Sequence, residues 1–354
     1  MSKRRIKRRL KRNQLSNWKK FLVFGCSFVI TMFMGVMFLL YGPMPKFRNW
    51  LVTTAMTTMN HKYLATWFYS DEEIERILDQ NKVIQPDKNT DTSLINTLQE
   101  EKVYKDEYER EILEHEDGEL YKMIEISGDN YSGFLVAIYD PSKIKLVTTE
   151  NLGYSGEYLV DMARKSNAVV AINGGGFVDD TTLKSGGVPN GIVIKNGEIL
   201  SYRRFRRLGG LIGFTNDNKL FLGSVTADEA LNLGVRDAVE FGPFLIVNGE
   251  ASKVVGNGGY GLHPRTVIGQ RQDGVVLFLV IDGRRIGCMG ADMDELIKIM
   301  QRYGAYNAAN LDGGNSSALV INNKLINHPI NWDKMEATRP IATGFVLVDD
   351  KLHN

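Results

Sequence analysis

Past residue 118 the chain alternates between short apolar runs and clusters of Gly, Asn and Asp. The runs GFLVAIYD, AVVAIN, GIVIKNGEIL, FGPFLIVNGE, GVVLFLVIDG, SALVINNKLI and TGFVLVDD are rich in Val, Ile, Leu and Phe. Turn formers bound them, so each predicts a strand. Three carry Asn-Gly or Asn-Asn between apolar stretches, the pattern of a tight hairpin turn. Helical spacing is rarer. It predicts one helix over 157–166 and a clearer one over 291–304, where Met293, Leu296, Ile297 and Met300 share a face. Asp292 with Glu295 three residues on has the form of a capping box, and Gly304 supplies a stop. The expectation is an α+β domain over 118–354, a large mixed β-sheet with helices packed on it.

The N-terminal pattern is different. Phe21–Tyr41 is a run of 21 residues without a charge. At ~1.5 Å per residue such a run spans roughly 30 Å, the hydrocarbon thickness of a bilayer. The net charge of +1 conceals ten Lys/Arg and no acid in residues 1–20. A basic stretch can signal nucleic acid, but beside this run it reads as the flank of a membrane span, and no nucleic-acid partner is expected. Basic flanks stay in the cytoplasm, so the prediction is a single-pass anchor over 21–41, a cytoplasmic tail over 1–20 and an extracytoplasmic remainder. A cleaved signal peptide is the competing reading. Its apolar region runs ~7–15 residues before a small-residue site, whereas here a longer run leads into GPMPKFRNW. Residues 42–117 are expected to form a juxtamembrane segment followed by an acidic helical stalk. Within them, 71–117 hold sixteen Asp/Glu against six Lys/Arg and no Gly, the composition of a solvated segment rather than a cation loop. Cys26 lies in the apolar run and Cys288 in the outer domain. They cannot pair within one chain, so the outer domain relies on its core, which suits a bacterial surface.

Polar residues gather at four strand ends. In AINGGGF, Asn173, Gly174 and Gly175 close a strand. Glycines there let backbone approach a ligand, and successive N–H groups can form an anion nest. The spacing is not that of a nucleotide loop. In GLHPRTVIG, Arg265 offers a fork suited to phosphate or carboxylate, with a structural ion pair as the alternative. His263 beside it is a candidate acid or base, or a group that orients a neighbour. In LVIDGRR, Asp282 ends an apolar run, and Arg284 and Arg285 add charge to the same corner. In AANLDGGNSS, Asp312 is set at a strand end by Gly313 and Gly314. Asn315 and Ser316 follow, able to hydrogen-bond a sugar or the carboxylate. No GxSxG elbow supports a Ser-His-Asp hydrolase. The five His and two Cys show no zinc spacing, and no metal or cofactor is assigned, with an oxygen-ligand site on Asp282 or Asp312 left open but unmarked.

As a set and in this order, NGGGF, GPFLIVNG, HPRTVIG, VIDGRR, the helix leading to LDGGNSSALV, and TRPIATGFVLV resemble the phosphodiester glycosidase family over about 120–350. The family pattern reads NGGFF and LDGGGS. Gly176 and Asn315 depart from it where substrate is expected, so sugar specificity does not carry over. The resemblance implies a membrane-anchored glycosidase that hydrolyses a sugar-1-phosphodiester in cell-surface or exopolysaccharide material. On that reading Asp312 is nucleophile or base and Asp282 its partner or a substrate anchor. Asn173, Gly174, Gly175, His263, Arg265, Arg284, Gly313, Gly314, Asn315 and Ser316 then contact substrate. The rival readings are a non-catalytic cell-wall glycan-binding or assembly protein, and a phosphodiesterase acting at phosphorus, which would call for a metal cluster.

Overall fold

The structure is a computed structural model that describes residues 17–58, 61–96, 104–178, 186–202, 209–330 and 338–349. The basic residues Lys3–Arg12 lie outside the described residues. Two compact units divide the chain, Met1–Leu78 and Asp79–Asn354.

In the first unit the helix Asn17–Tyr41 contains a stretch, Trp18–Tyr41, that is long and apolar enough to cross a membrane. Phe21, Phe24, Phe28 and Phe33 on it are all exposed. A short helix, Pro45–Thr57, follows with Pro at its start, where the missing N–H costs nothing.

The second unit is α+β. Its strands form a seven-stranded sheet, two five-stranded sheets and a two-stranded ribbon. The seven-stranded sheet runs, edge to edge, Glu250–Ala251, Phe244–Val247, Ala305–Asn310, Arg265–Arg271, Val276–Ile281, Ser132–Ile138 and Tyr121–Ser127. One five-stranded sheet is ordered Lys324–Leu325, Leu319–Ile321, Ala168–Asn173, Thr343–Val348, Ile144–Thr148. The other holds Ile192–Lys195, Val235–Phe241 and Gly210–Thr215 at its centre. Pairing within the seven-stranded sheet is antiparallel throughout.

Each of the three larger sheets gives one face to a common core and the other to a helix. In Val276–Ile281, Val276, Phe278 and Val280 join the common core with Ile172, Phe345, Ile212 and Phe214 of the other sheets. Leu277, Leu279 and Ile281 pack with Met293, Leu296, Ile297 and Met300 of the helix Met293–Arg302. Both faces are buried, which is why this run is apolar throughout instead of alternating. The helix Leu159–Lys165 covers the second sheet in the same way through Leu159, Met162 and Ala163.

Local chemistry accounts for the punctuation. The pairs Asn196-Gly197, Asn248-Gly249 and Asn322-Asn323 all have positive φ at both residues, as the tightest hairpin turns require. Each joins paired strands. The capping box is present, with Glu295 N–H donating to Asp292 Oδ1 and Asp292 N–H to Glu295 Oε2, both at 2.9 Å. Gly304 closes the helix at φ +74°.

The acidic segment is more than a solvated arm. It carries the helices Asp71–Gln80 and Glu107–Leu113, and between them Lys82–Ile84 pairs with Lys253–Val255. In the second helix Glu109 is buried and accepts from Arg271 Nη2 at 2.7 Å and from Lys105 N–H at 2.7 Å. Arg271 also donates to Tyr303 O at 2.9 Å and to Asp273. Burial pushes the Glu109 carboxyl up, but the bonds from Arg271 and Lys105 outweigh it and leave it below the usual glutamate range. A depressed carboxyl adds stability that is complete above its unfolded pKa and is lost as pH falls through the folded one. The melting-temperature advantage of the wild type over Glu109→Gln is therefore expected to be full at neutral pH and to shrink below about pH 4.3. An advantage that persists unchanged to pH 3 would contradict this ion pair.

Candidate active site

The strand ends that carry the polar motifs converge. In the seven-stranded sheet Val267 pairs with Asn310 and Arg265 with Ile281. The chain exits at Asp312 and Asp282 and the entrance at Arg265 thus share one end of that sheet. In the second sheet Asn173 pairs with Gly344 at the end of its strand. Asn173 joins the two. Its Oδ1 accepts from Thr266 Oγ1 at 2.7 Å and from Ala318 N–H at 3.1 Å, and its Nδ2 donates to Asp312 O at 2.6 Å. Asp312 N–H in turn donates to Gly174 O at 3.1 Å.

The Gly-Gly corner after Asp312 follows from crowding. A Cβ on Gly313 would sit 2.9 Å from Pro264 O, and one on Gly314 2.8 Å from Arg284 Nη2. Gly314 also has φ +66° and donates its N–H to Pro264 O at 2.9 Å. The glycines therefore bring the HPR entrance and the Arg284 guanidinium onto the aspartate turn. Asp312 accepts from Gly313 N–H at 3.0 Å through Oδ1, and its Oδ2 lies 3.8 Å from Arg339 Nη2. At 8 % exposure the residue is buried, and its Oδ2 is closed to solvent.

Two arginines flank it. Arg284 adopts φ +62°, an uncommon conformation for a residue other than glycine, and its Nη1 donates to Asn315 Oδ1. Burial lowers its pKa, nearby Arg339 lowers it further, and Asp312 opposes both. Arg339 donates through Nε to Ser316 Oγ at 3.0 Å and lies 4.3 Å over the Phe177 ring. The corner thus places a carboxylate between two guanidiniums, an arrangement able to hold an anion beside a reactive oxygen.

Other residues read as substrate contacts are turned inward. The N–H groups of Gly174 and Gly175 donate to Thr343 O and Oγ1 at 2.9 and 3.0 Å, so they form no nest for a ligand. These glycines are needed because Cβ atoms there would meet Thr343 and Val239. Asn173 is buried in the network described above. Arg265 donates to Ala291 O, Tyr260 O and Gly261 O at 3.2, 2.9 and 2.8 Å, so its fork holds loop carbonyls. Burial brings it down to about 10, and it stays charged at neutral pH. His263 is lowered to about 3 by burial and by Arg265 and Arg284, which keeps the ring neutral. Its Nε2 is buried without a hydrogen-bond partner. Asp282 is 2 % exposed and its oxygens accept from Asn327 Nδ2 at 3.0 Å, His328 N–H at 2.9 Å and Arg285 Nη2 at 3.3 Å. Two inter-strand spacings, roughly 10 Å, separate it from Asp312 along the sheet end.

Arg339 went unmarked in the sequence reading. Its available signal was an Arg-Pro pair ahead of an apolar run, the mirror of Pro264-Arg265 at another strand entrance. Among the described residues no group of three or more His, Cys, Asp or Glu is placed to hold a metal ion.

The phosphodiester glycosidase family profile matches residues 166–348. The chain is 29 % identical over 199 residues to the SPbeta prophage-derived uncharacterized protein YomE of Bacillus subtilis (strain 168), covering 53 % of this chain and 29 % of that protein. It is 27 % identical over 190 residues to the N-acetylglucosamine-1-phosphodiester alpha-N-acetylglucosaminidase of Bos taurus, covering 48 % and 34 %. It therefore spans about a third of the length of these relatives. The zebrafish N-acetylglucosamine-1-phosphodiester alpha-N-acetylglucosaminidase catalytic domain auto-inhibited by pro-peptide has a similar fold, with a TM-score of 0.56 and 21 % identity over 66 % of this chain and 85 % of that one.

Proposed function

The chain belongs to the phosphodiester glycosidase family, and from that premise we propose that it hydrolyses a sugar-1-phosphodiester, releasing free sugar and leaving a phosphomonoester. The observation that carries this reading is Asp312 lying 3.8 Å from Arg339, with Arg284 beside them on Asn315. Water adds at the anomeric carbon, the bond from that carbon to the bridging phosphate oxygen breaks, and its electron pair leaves with the phosphate. The leaving group has a second pKa of about 6 and departs with little protonation. Arg284 and Arg339 take up its charge. Asp312 faces the anomeric carbon, as nucleophile or as base toward water, and retention or inversion in the released sugar distinguishes the two. Asp282, saturated by its own donors, is not assigned to bond breaking.

The helix Asn17–Tyr41 is proposed to anchor the chain in the cell membrane, N-terminus inside, with Asp79–Asn354 acting on cell-wall or exopolysaccharide material. The test is turnover of a sugar-1-phosphate methyl diester by the full-length protein in detergent. Free sugar is the expected product. Sugar phosphate would mean attack at phosphorus, and binding to cell-wall polymer without turnover would favour the assembly role.

A further inference from the structure

The three glycines of AINGGGF are glycines for different reasons. A Cβ on Gly174 would strike Thr343, and one on Gly175 would crowd the buried Val239. On Gly176 the neighbour among the described residues is the Phe241 ring, with Cε2 2.9 Å and Cδ2 3.3 Å from where a Cβ would stand. The φ of Gly176 is not positive, so its backbone makes no demand for glycine. The missing side chain makes room for a ring that arrives from another sheet.

Phe241 ends the strand Val235–Phe241. It packs against the common core yet stays only half-buried. The residue directly across the ladder is Gly210, so no side chain covers the ring from that position. Its place is inside the reaction corner. Gly174 O accepts from Asp312 N–H at 3.1 Å. Gly176 follows two residues later, at most ~7 Å further along the chain. The next residue, Phe177, carries the Arg339 guanidinium 4.3 Å over its ring. Phe241 thus meets the chain between the point that anchors the carboxylate and the point that carries the cation.

The face of an aromatic ring is electron-rich and meets C–H bonds well. A pyranose offers such a face, and the axial or equatorial placing of its hydroxyls decides how apolar that face is. On the glycosidase reading Asp312 addresses the anomeric carbon, so the sugar ring that bears this carbon is the group within reach of Phe241.

We propose that Phe241 is a specificity-determining residue, the platform on which the pyranose of the released sugar stacks, and that Gly176 lacks a side chain in order to admit it. The inference rests on the glycosidase reading for turnover but not for sugar binding. The competing account is that the ring only closes the core.

The experiment uses the full-length protein in detergent. Turnover is compared for the 1-(methyl phosphate) diesters of glucose, galactose and N-acetylglucosamine in both anomeric forms. Saturation-transfer NMR follows binding of the same free sugars. Phe241→Leu keeps an apolar group against the core. It is expected to weaken binding of the preferred sugar by roughly fivefold to tenfold, to raise KM more than it lowers kcat, and to narrow the spread between sugars. Phe241→Tyr keeps the ring and should keep the spread. Gly176→Ala displaces the ring at its edge without removing it from the core, and should narrow the spread as well. Replacing the methyl group by a longer alkyl should leave the ratio of wild type to Phe241→Leu unchanged. The platform is overturned if Phe241→Leu and Gly176→Ala retain the wild-type spread, or lower all three sugars by one common factor. A wild type that binds none of the sugars overturns it too. Sugar binding that depends on Phe241 in a protein that turns over no diester would sink the glycosidase reading and leave the platform standing.

Discussion

Asp312→Asn is expected to reduce sugar release from the diester by on the order of 10⁴-fold while leaving the protein folded. The substitution keeps the shape of the side chain, and its amide oxygen still accepts from Gly313 N–H as Oδ1 does at 3.0 Å. The main-chain bonds that set the corner, from Asp312 N–H to Gly174 O and from Asn173 to Asp312 O, do not involve the side chain. What disappears is the negative charge between Arg284 and Arg339. Removing it should raise affinity for inorganic phosphate, because both guanidiniums then lack their shared counter-charge. Loss of turnover with equal or tighter phosphate binding separates a reactive carboxylate from a merely structural one. Turnover within tenfold of wild type would take Asp312 out of the chemistry.

Arg339→Ala should lower kcat/KM by about 10²–10³, the usual cost of removing a donor aimed at developing charge. The side chain connects three elements of the site: Asp312 at 3.8 Å, Ser316 Oγ at 3.0 Å and the Phe177 ring at 4.3 Å. Arg339→Lys restores charge but neither the planar stacking on Phe177 nor the fixed bond to Ser316, so it should recover part of the loss. Steady-state kinetics on the three proteins test this. An alanine variant within threefold of wild type would assign the anion to Arg284 alone.

Much of the architecture was legible in short windows. Asn-Gly and Asn-Asn pairs tolerate positive φ, so the three hairpins follow from neighbouring residues. The helix Met293–Arg302 carries its own cap, stripe and stop. The aspartate corner was legible as well, since two glycines after an apolar run mark a turn that something approaches closely. The acidic stretch before residue 117 was harder. Composition describes an average environment, and nothing local reveals that Glu109 meets Arg271, 162 positions away, inside the domain.

The direction of the polar groups was not written locally at all. Asn173 and the N–H groups of Gly174 and Gly175 have the chemistry of ligand contacts, and assembly turned them onto Asp312, Thr266 and Thr343. Arg265 and Arg339 have the same side chain at similar strand entrances. One is surrounded by loop carbonyls and the other by Asp312 and Ser316. Residue type and neighbours decide where strands, turns and helices form, because those depend on φ, ψ and burial of nearby side chains. Which donor meets which acceptor depends on strand ends more than a hundred residues apart being brought together, and only the folded sheets decide that.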